Sequence, residues 1–77
     1  MRTLDQLRPG ERGMIVSVSG SDGIALRLRE LGLVPGERVE FLRRAPLGDP
    51  LKLLVQGCRI AVRAAEARRI GVEPESR

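Results

Sequence analysis

Histidine is absent from this chain of 77 residues, as are tryptophan and tyrosine, and Cys58 is the only cysteine. Without histidine, the side chain most used as general base and metal ligand near neutral pH is missing. No Ser–His or Cys–His nucleophile pair can be assembled. A zinc centre needs about four Cys, His or carboxylate ligands converging on one point, and one cysteine does not begin that set. The carboxylates are scattered: Asp22 at a helix start, Glu37 and Glu40 on one extended segment, Asp49 in a loop. Residues three apart on a strand point to opposite faces, so Glu37 and Glu40 do not form a paired acid–base site. These carboxylates leave room only for a weak surface site for Fe2+ or another divalent ion, and no cofactor is expected. Neither a Walker A sequence nor G-x-G-x-x-G is present, and the nine glycines punctuate turns. The chain is expected not to be an enzyme.

Other absences bound the setting and the partner. No stretch approaches the roughly 20 apolar residues that cross a bilayer, and no long apolar run follows Met1-Arg2-Thr3-Leu4-Asp5 as in a signal peptide. One cysteine builds no disulfide framework. The expected location is cytoplasmic. Phe41 is the only aromatic residue, so the core must be aliphatic. Proteins that hold single-stranded nucleic acid stack bases on aromatic side chains, and here none is to spare. A basic barrel gripping only the nucleic-acid backbone remains as the rival reading.

What is abundant is arginine. Charged residues make up 31% of the chain, Lys+Arg number 14 against 10 Asp+Glu, and Lys52 is the only lysine. Arginine forks take carboxylate or phosphate bidentately, so an acidic protein surface is a natural partner. At this length the chain forms one domain, residues 1–77, and buries about 60% of the surface its unfolded form exposes. A deep catalytic cleft does not fit.

The pattern along the chain reads as one short helix among short strands. Residues 4–7 form a short apolar-polar turn or a single turn of helix, closed by Pro9-Gly10. Residues 11–19 form a first strand, with Met14, Val16 and Val18 on one face. Ser21 or Asp22 caps a helix whose apolar stripe is Ile24, Leu28 and Leu31, and Gly32 suits its left-handed end. Val34-Pro35-Gly36 is a tight turn. Residues 37–45 form a second strand, with Val39 and Phe41 inward and Glu40 outward. A loop follows over 46–50, where two prolines exclude a central strand. Leu51, Leu53 and Val55 alternate in a third strand; Cys58, Ile60 and Val62 alternate in a fourth, which makes Cys58 a buried structural thiol. A helical turn over 64–69, a closing strand over 70–73 and a frayed tail over 74–77 complete the chain. About five strands with closely spaced turns predict a mainly β fold, a small closed or nearly closed barrel with one short helix inserted after the first strand.

A docking role is the reading that uses the surface. Leu26 falls off the helical stripe, Leu33 and Val34 follow the helix, and Leu47 tips a loop. Leu26, Leu33 and Leu47 are expected to supply apolar contact, with Arg27, Arg29 and Arg43 pairing with carboxylates of a partner. Apolar patches rimmed by polar residues mark such sites.

The segment Arg27-Leu28-Arg29-Glu30-Leu31-Gly32-Leu33-Val34-Pro35-Gly36, followed by Ala45-Pro46-Leu47-Gly48-Asp49-Pro50, resembles the FeoA family. Leu4-Asp5-Gln6-Leu7-Arg8-Pro9-Gly10-Glu11 and Gly13-Met14-Ile15-Val16 fit the same pattern, so the resemblance spans residues 3–74. It implies an SH3-like barrel and an accessory role in bacterial ferrous iron uptake. The implied partner is the cytoplasmic region of FeoB, a membrane transporter with a GTPase domain, which would recruit the chain to the inner face of the membrane. The same fold forms the C-terminal domain of DtxR-type metal-dependent repressors. A metal-sensing domain of that type, with the family's label of transition metal binding, is therefore the other alternative.

Overall fold

The computed structural model describes residues 2–75 and shows a six-stranded antiparallel sheet with one helix of two turns. In chain order the elements are β1 (Arg2–Thr3), a 3-10 turn (Leu4–Gln6), β2 (Arg12–Val18), α1 (Gly23–Glu30), β3 (Arg38–Arg44), β4 (Leu51–Val55), β5 (Cys58–Val62), α2 (Ala64–Ala67) and β6 (Ile70–Pro74). The sheet order is β1-β6-β2-β3-β4-β5. The last strand of the chain thus runs between the first two, and β1 and β5 are the edges. The mainly β, SH3-like expectation holds, with the two-residue β1 as a sixth strand.

Period-two alternation explains most of the core. Val39 and Phe41 of β3, Leu51, Leu53 and Val55 of β4, Val62 of β5, and Ile70 and Val72 of β6 are all buried in one cluster. Each such side chain contributes roughly 1.5–3 kcal/mol relative to exposure. Phe41, the one aromatic residue, is the bulkiest piece of that cluster.

In β2 the inward face is the other one. Ile15 is buried, whereas Met14 is 39% exposed and Val16 is 38% exposed. A register irregularity between Ile15 and Ser17 against β6 then lets Val18 pack against the core. A bulge inserts one residue and exchanges the faces beyond it, which strict alternation cannot anticipate. Buried Gly13 sits inward beside Ile15, where a Cβ would come within 3.1 Å of the Glu73 carbonyl oxygen.

The helix is placed by its caps. The Asp22 carboxylate accepts from the Ala25 N–H at 3.1 Å, satisfying one of the free donors of the first turn. Gly32, at φ +100°, closes the other end. The buried stripe is Ala25 and Leu28, with Leu31 partly buried against the core and Leu33 fully buried in it. Ile24 stays 39% exposed, because Ala25 and Leu28, three apart, set the contact line.

Two further expectations are corrected at chain turns. Pro74 belongs to β6, the Glu75 N–H donates to the Arg12 carbonyl at 2.9 Å, and its carboxylate pairs with Arg38. The predicted frayed tail therefore does not include residues 74 and 75, while 76 and 77 lie outside the described residues. Cys58 is exposed, contrary to the buried thiol expected. It opens the edge strand β5 directly after a two-residue turn, and no further strand covers it there.

That turn is Gln56-Gly57, with φ of +53° and +76°. Positive φ at both central positions is the hairpin geometry that favours Asn-Gly, and glutamine is strained in it. Gln56→Asn is therefore expected to stabilise the domain by up to about 1 kcal/mol, read from the midpoint of urea unfolding. In the same assay Leu33→Ala should destabilise by about 2–5 kcal/mol, while Leu26→Ala should stay within about 0.5 kcal/mol.

The cap also titrates. A hydrogen bond from the Arg69 guanidinium, followed by the Ala25 N–H, holds the Asp22 carboxyl below the usual carboxylate range. A depressed carboxylate favours the folded state above its unfolded pKa of about 4, and that contribution is lost as pH falls through the lower folded value. Asp22→Asn keeps a capping oxygen but no charge. The variant is expected to be less stable than the parent at neutral pH. The difference should shrink on acidification below about pH 4, measured as urea midpoints across the range.

Candidate docking surface

The cations divide into those engaged within the chain and those left over. Arg29 donates through Nη2 to the carbonyls of Val18 at 3.1 Å and Gly20 at 3.0 Å, tying α1 to the end of β2. Arg27 pairs with Glu66 of α2, and Arg69 pairs with Asp22 at 2.6 Å. Arg2 meets Glu11 at 3.2 Å, Arg12 meets Glu40 at 3.6 Å, and Arg38 meets Glu75 at 2.7 Å. Glu11 accepts the Arg8 backbone N–H first and Arg2 next, which lowers its pKa. Arg63 and Arg68 approach Asp49 and Asp5. Arg44 lies 5.2 Å from the centre of the Phe41 ring and donates to the Asp5 carbonyl.

Among the described residues, no hydrogen bond or ion pair engages the side chains of Arg8, Arg43, Lys52 or Arg59; Arg8 meets Glu11 through its backbone N–H. Arg43, Lys52 and Arg59 surround one shallow groove of about 290 Å3 along β3, β4 and β5, which Leu42, Ile60 and Ala61 also line. Register places them there. Lys52 of β4 stands opposite both Arg43 of β3 and Ala61 of β5, and Arg59 stands opposite Leu54. A β3 irregularity between Phe41 and Arg43 brings Arg43 level with Lys52. A second groove on the same sheet, lined by Arg12, Glu37, Arg38, Glu40, Leu54, Gln56 and Gly57, carries both signs. The first groove carries only positive charge over an aliphatic floor.

The expected contact residues have different fates. Leu33 is 0% exposed; it follows the helix end straight into the core and cannot touch a partner. Arg27 and Arg29 are tied to α2 and to the β2 end. Leu26, at 56% exposure on α1, and Leu47, at 96% in the β3–β4 loop, do reach solvent, as does Arg43. The sequence pattern alone does not single out Lys52 and Arg59 as contacts. Their outward positions follow from alternation, but their convergence with Arg43 depends on strand register.

Among the described residues no three Cys, Asp or Glu side chains converge in the way a metal centre requires, and exposed Cys58 has no such company. No helix among them is long and apolar enough to cross a membrane.

The FeoA domain family matches residues 2–74. A curated relative, the Fe(2+) transport protein A/Fe(2+) transporter FeoB fusion protein of Porphyromonas gingivalis, is 31% identical over 70 residues. That alignment covers 91% of this chain, and the chain spans only 8% of the fusion protein. Among solved structures, the FeoA of Stenotrophomonas maltophilia, complexed with zinc and described as an SH3 domain protein, is 39% identical with a TM-score of 0.82. The match covers 95% of this chain and 91% of that one. A manganese-dependent transcriptional repressor superposes with a TM-score of 0.87 over 96% of this chain and 41% of its own, but at 19% identity it shares the fold alone. An SH3-like sheet capped by one short helix, matched along nearly its whole length, places this chain in the FeoA family.

Proposed function

We propose that the chain is a cytoplasmic, non-enzymatic accessory protein of ferrous iron uptake that docks on the cytoplasmic region of a FeoB-type transporter. The observation that carries this reading is the fusion, in which a domain similar to this chain is joined covalently to FeoB. Joining two domains gives each a high effective concentration near the other. A separate chain must reach the same neighbour by affinity. The family likeness over residues 2–74 supports an accessory role rather than a chemical one.

The surface fits docking. Leu26 and Leu47 are large apolar side chains that the fold leaves in water, and Arg43 adds a charge with no partner within the chain among the described residues. Desolvated apolar anchors supply most interface energy, and rim charges act more on association rate and its salt dependence.

The experiment measures binding of the purified chain to the FeoB-type transporter from the same organism, in detergent, with its cytoplasmic domain present. Saturable binding is expected. Leu26→Asp or Leu47→Asp should weaken it at least tenfold with an unchanged circular dichroism spectrum, and Arg43→Glu should slow association. No binding by the folded parent chain would overturn the reading. So would a gel shift with RNA or DNA at physiological salt that is tighter than binding to the transporter.

A further inference from the structure

The open edge of the sheet adds a specific chemistry to the cationic groove. We infer that β5 accepts an extended acidic segment of a partner protein as an added antiparallel or parallel strand, with alternating acidic and apolar side chains. The segment's carboxylates face Arg59, Lys52 and Arg43. This deepens the docking reading by naming what the partner presents, and to that extent rests on it.

Register shows which main-chain groups are free. The two-residue turn makes Val55 and Cys58 the first hydrogen-bonded pair of the hairpin, so Leu53 with Ile60 and Leu51 with Val62 follow in the same class. The N–H and C=O groups of Arg59 and Ala61 therefore point away from β4. Sheet order leaves no strand on that side, and among the described residues no backbone or side-chain bond reaches those groups. Both residues are exposed. An unpaired row of this kind is a template for strand addition.

Side chains on the two faces then set the occupant. Arg59 and Ala61 lie on the outer face with Lys52, which with Arg43 and Leu42 line the groove. Outer-face residues of an added strand would meet this positive charge, which among the described residues no carboxylate of the chain neutralises. On the other face, Ile60 is half-buried and Cys58 is exposed, so apolar residues of the added strand would cover them. A second copy of β5 is the alternative occupant, but across a two-fold axis it would set Arg59 near Arg59. Like charges facing each other across strands are destabilising. An acidic strand is complementary where a second copy is repelled.

The test is a titration of the full 15N-labelled chain with the peptide acetyl-Glu-Val-Glu-Val-Glu-amide, followed by amide chemical shifts and hydrogen exchange. Saturable shifts centred on residues 58–62 are expected, with exchange at the Arg59 and Ala61 amides slowed at least tenfold. A peptide N-methylated at the donors facing β5 should bind at least tenfold more weakly, and so should Arg59→Glu. The lone thiol of Cys58 should react more slowly with a thiol reagent when the peptide is bound. Absence of saturable shifts, shifts centred elsewhere, or equal binding of the N-methylated peptide would overturn the inference. So would a concentration-dependent dimer that protects the same two amides without peptide. The titration contains no transporter. If it fails while the transporter still binds, only the strand-addition reading falls; if transporter binding fails while the peptide binds, only the docking reading falls.

Discussion

The packing of α1 onto the sheet is the contact on which the rest of this domain depends. An eight-residue helix does not persist in water on its own, and α1 brings only Ala25 and Leu28 as fully buried side chains. Its position is completed by what surrounds it. Leu33 enters the core just past the helix end, Asp22 caps its start, and Arg29 reaches back to the carbonyls ending β2. Those contacts join a strand, a helix and a turn into one unit, and they occupy arginines that would otherwise be surface charge. In a core with one aromatic residue, such polar ties fix orientation where bulky packing cannot.

The same ties determine which charges remain for a partner. Around α1 the cations face carboxylates or carbonyls of their own chain, so the positive charge of the helix is largely internal business. Across β3, β4 and β5 the balance differs, because Arg43, Lys52 and Arg59 converge with no acidic neighbour among the described residues. A cluster of like charge on a sheet edge opposes self-association. It also lowers the barrier for an oppositely charged strand. One arrangement thereby serves solubility and selectivity together.

Much of the fold was legible because its signals are local. The Asp22 cap, the Gly32 helix end, the Val34-Pro35-Gly36 turn and the alternation of Val39, Phe41, Leu51, Leu53 and Val55 each depend on a few neighbouring residues. The failures were non-local. Met14 and Val16 read as inward because the irregularity against β6 cannot be seen from β2 alone. Leu33 read as available because its burial depends on where the helix end meets the sheet, and Cys58 read as buried because edge position is a property of strand order. The candidate site was least legible of all. Arg43 was named, but the groove it forms with Lys52 and Arg59 exists only once the strands are in register.

The two sheet edges are not equivalent, and the difference favours β5 as the working one. β1 is two residues long and runs directly into the 3-10 turn whose Leu4 is buried, so it offers little unbroken edge. β5 is five residues long, with Arg59 and Ala61 facing outward in the ladder. An SH3-like fold shared with proteins of other roles does not by itself select a function. Function on such a scaffold must lie in what the surface leaves unsatisfied. Here that is two exposed leucines, a free strand edge and three cations beside it, a set suited to holding another protein.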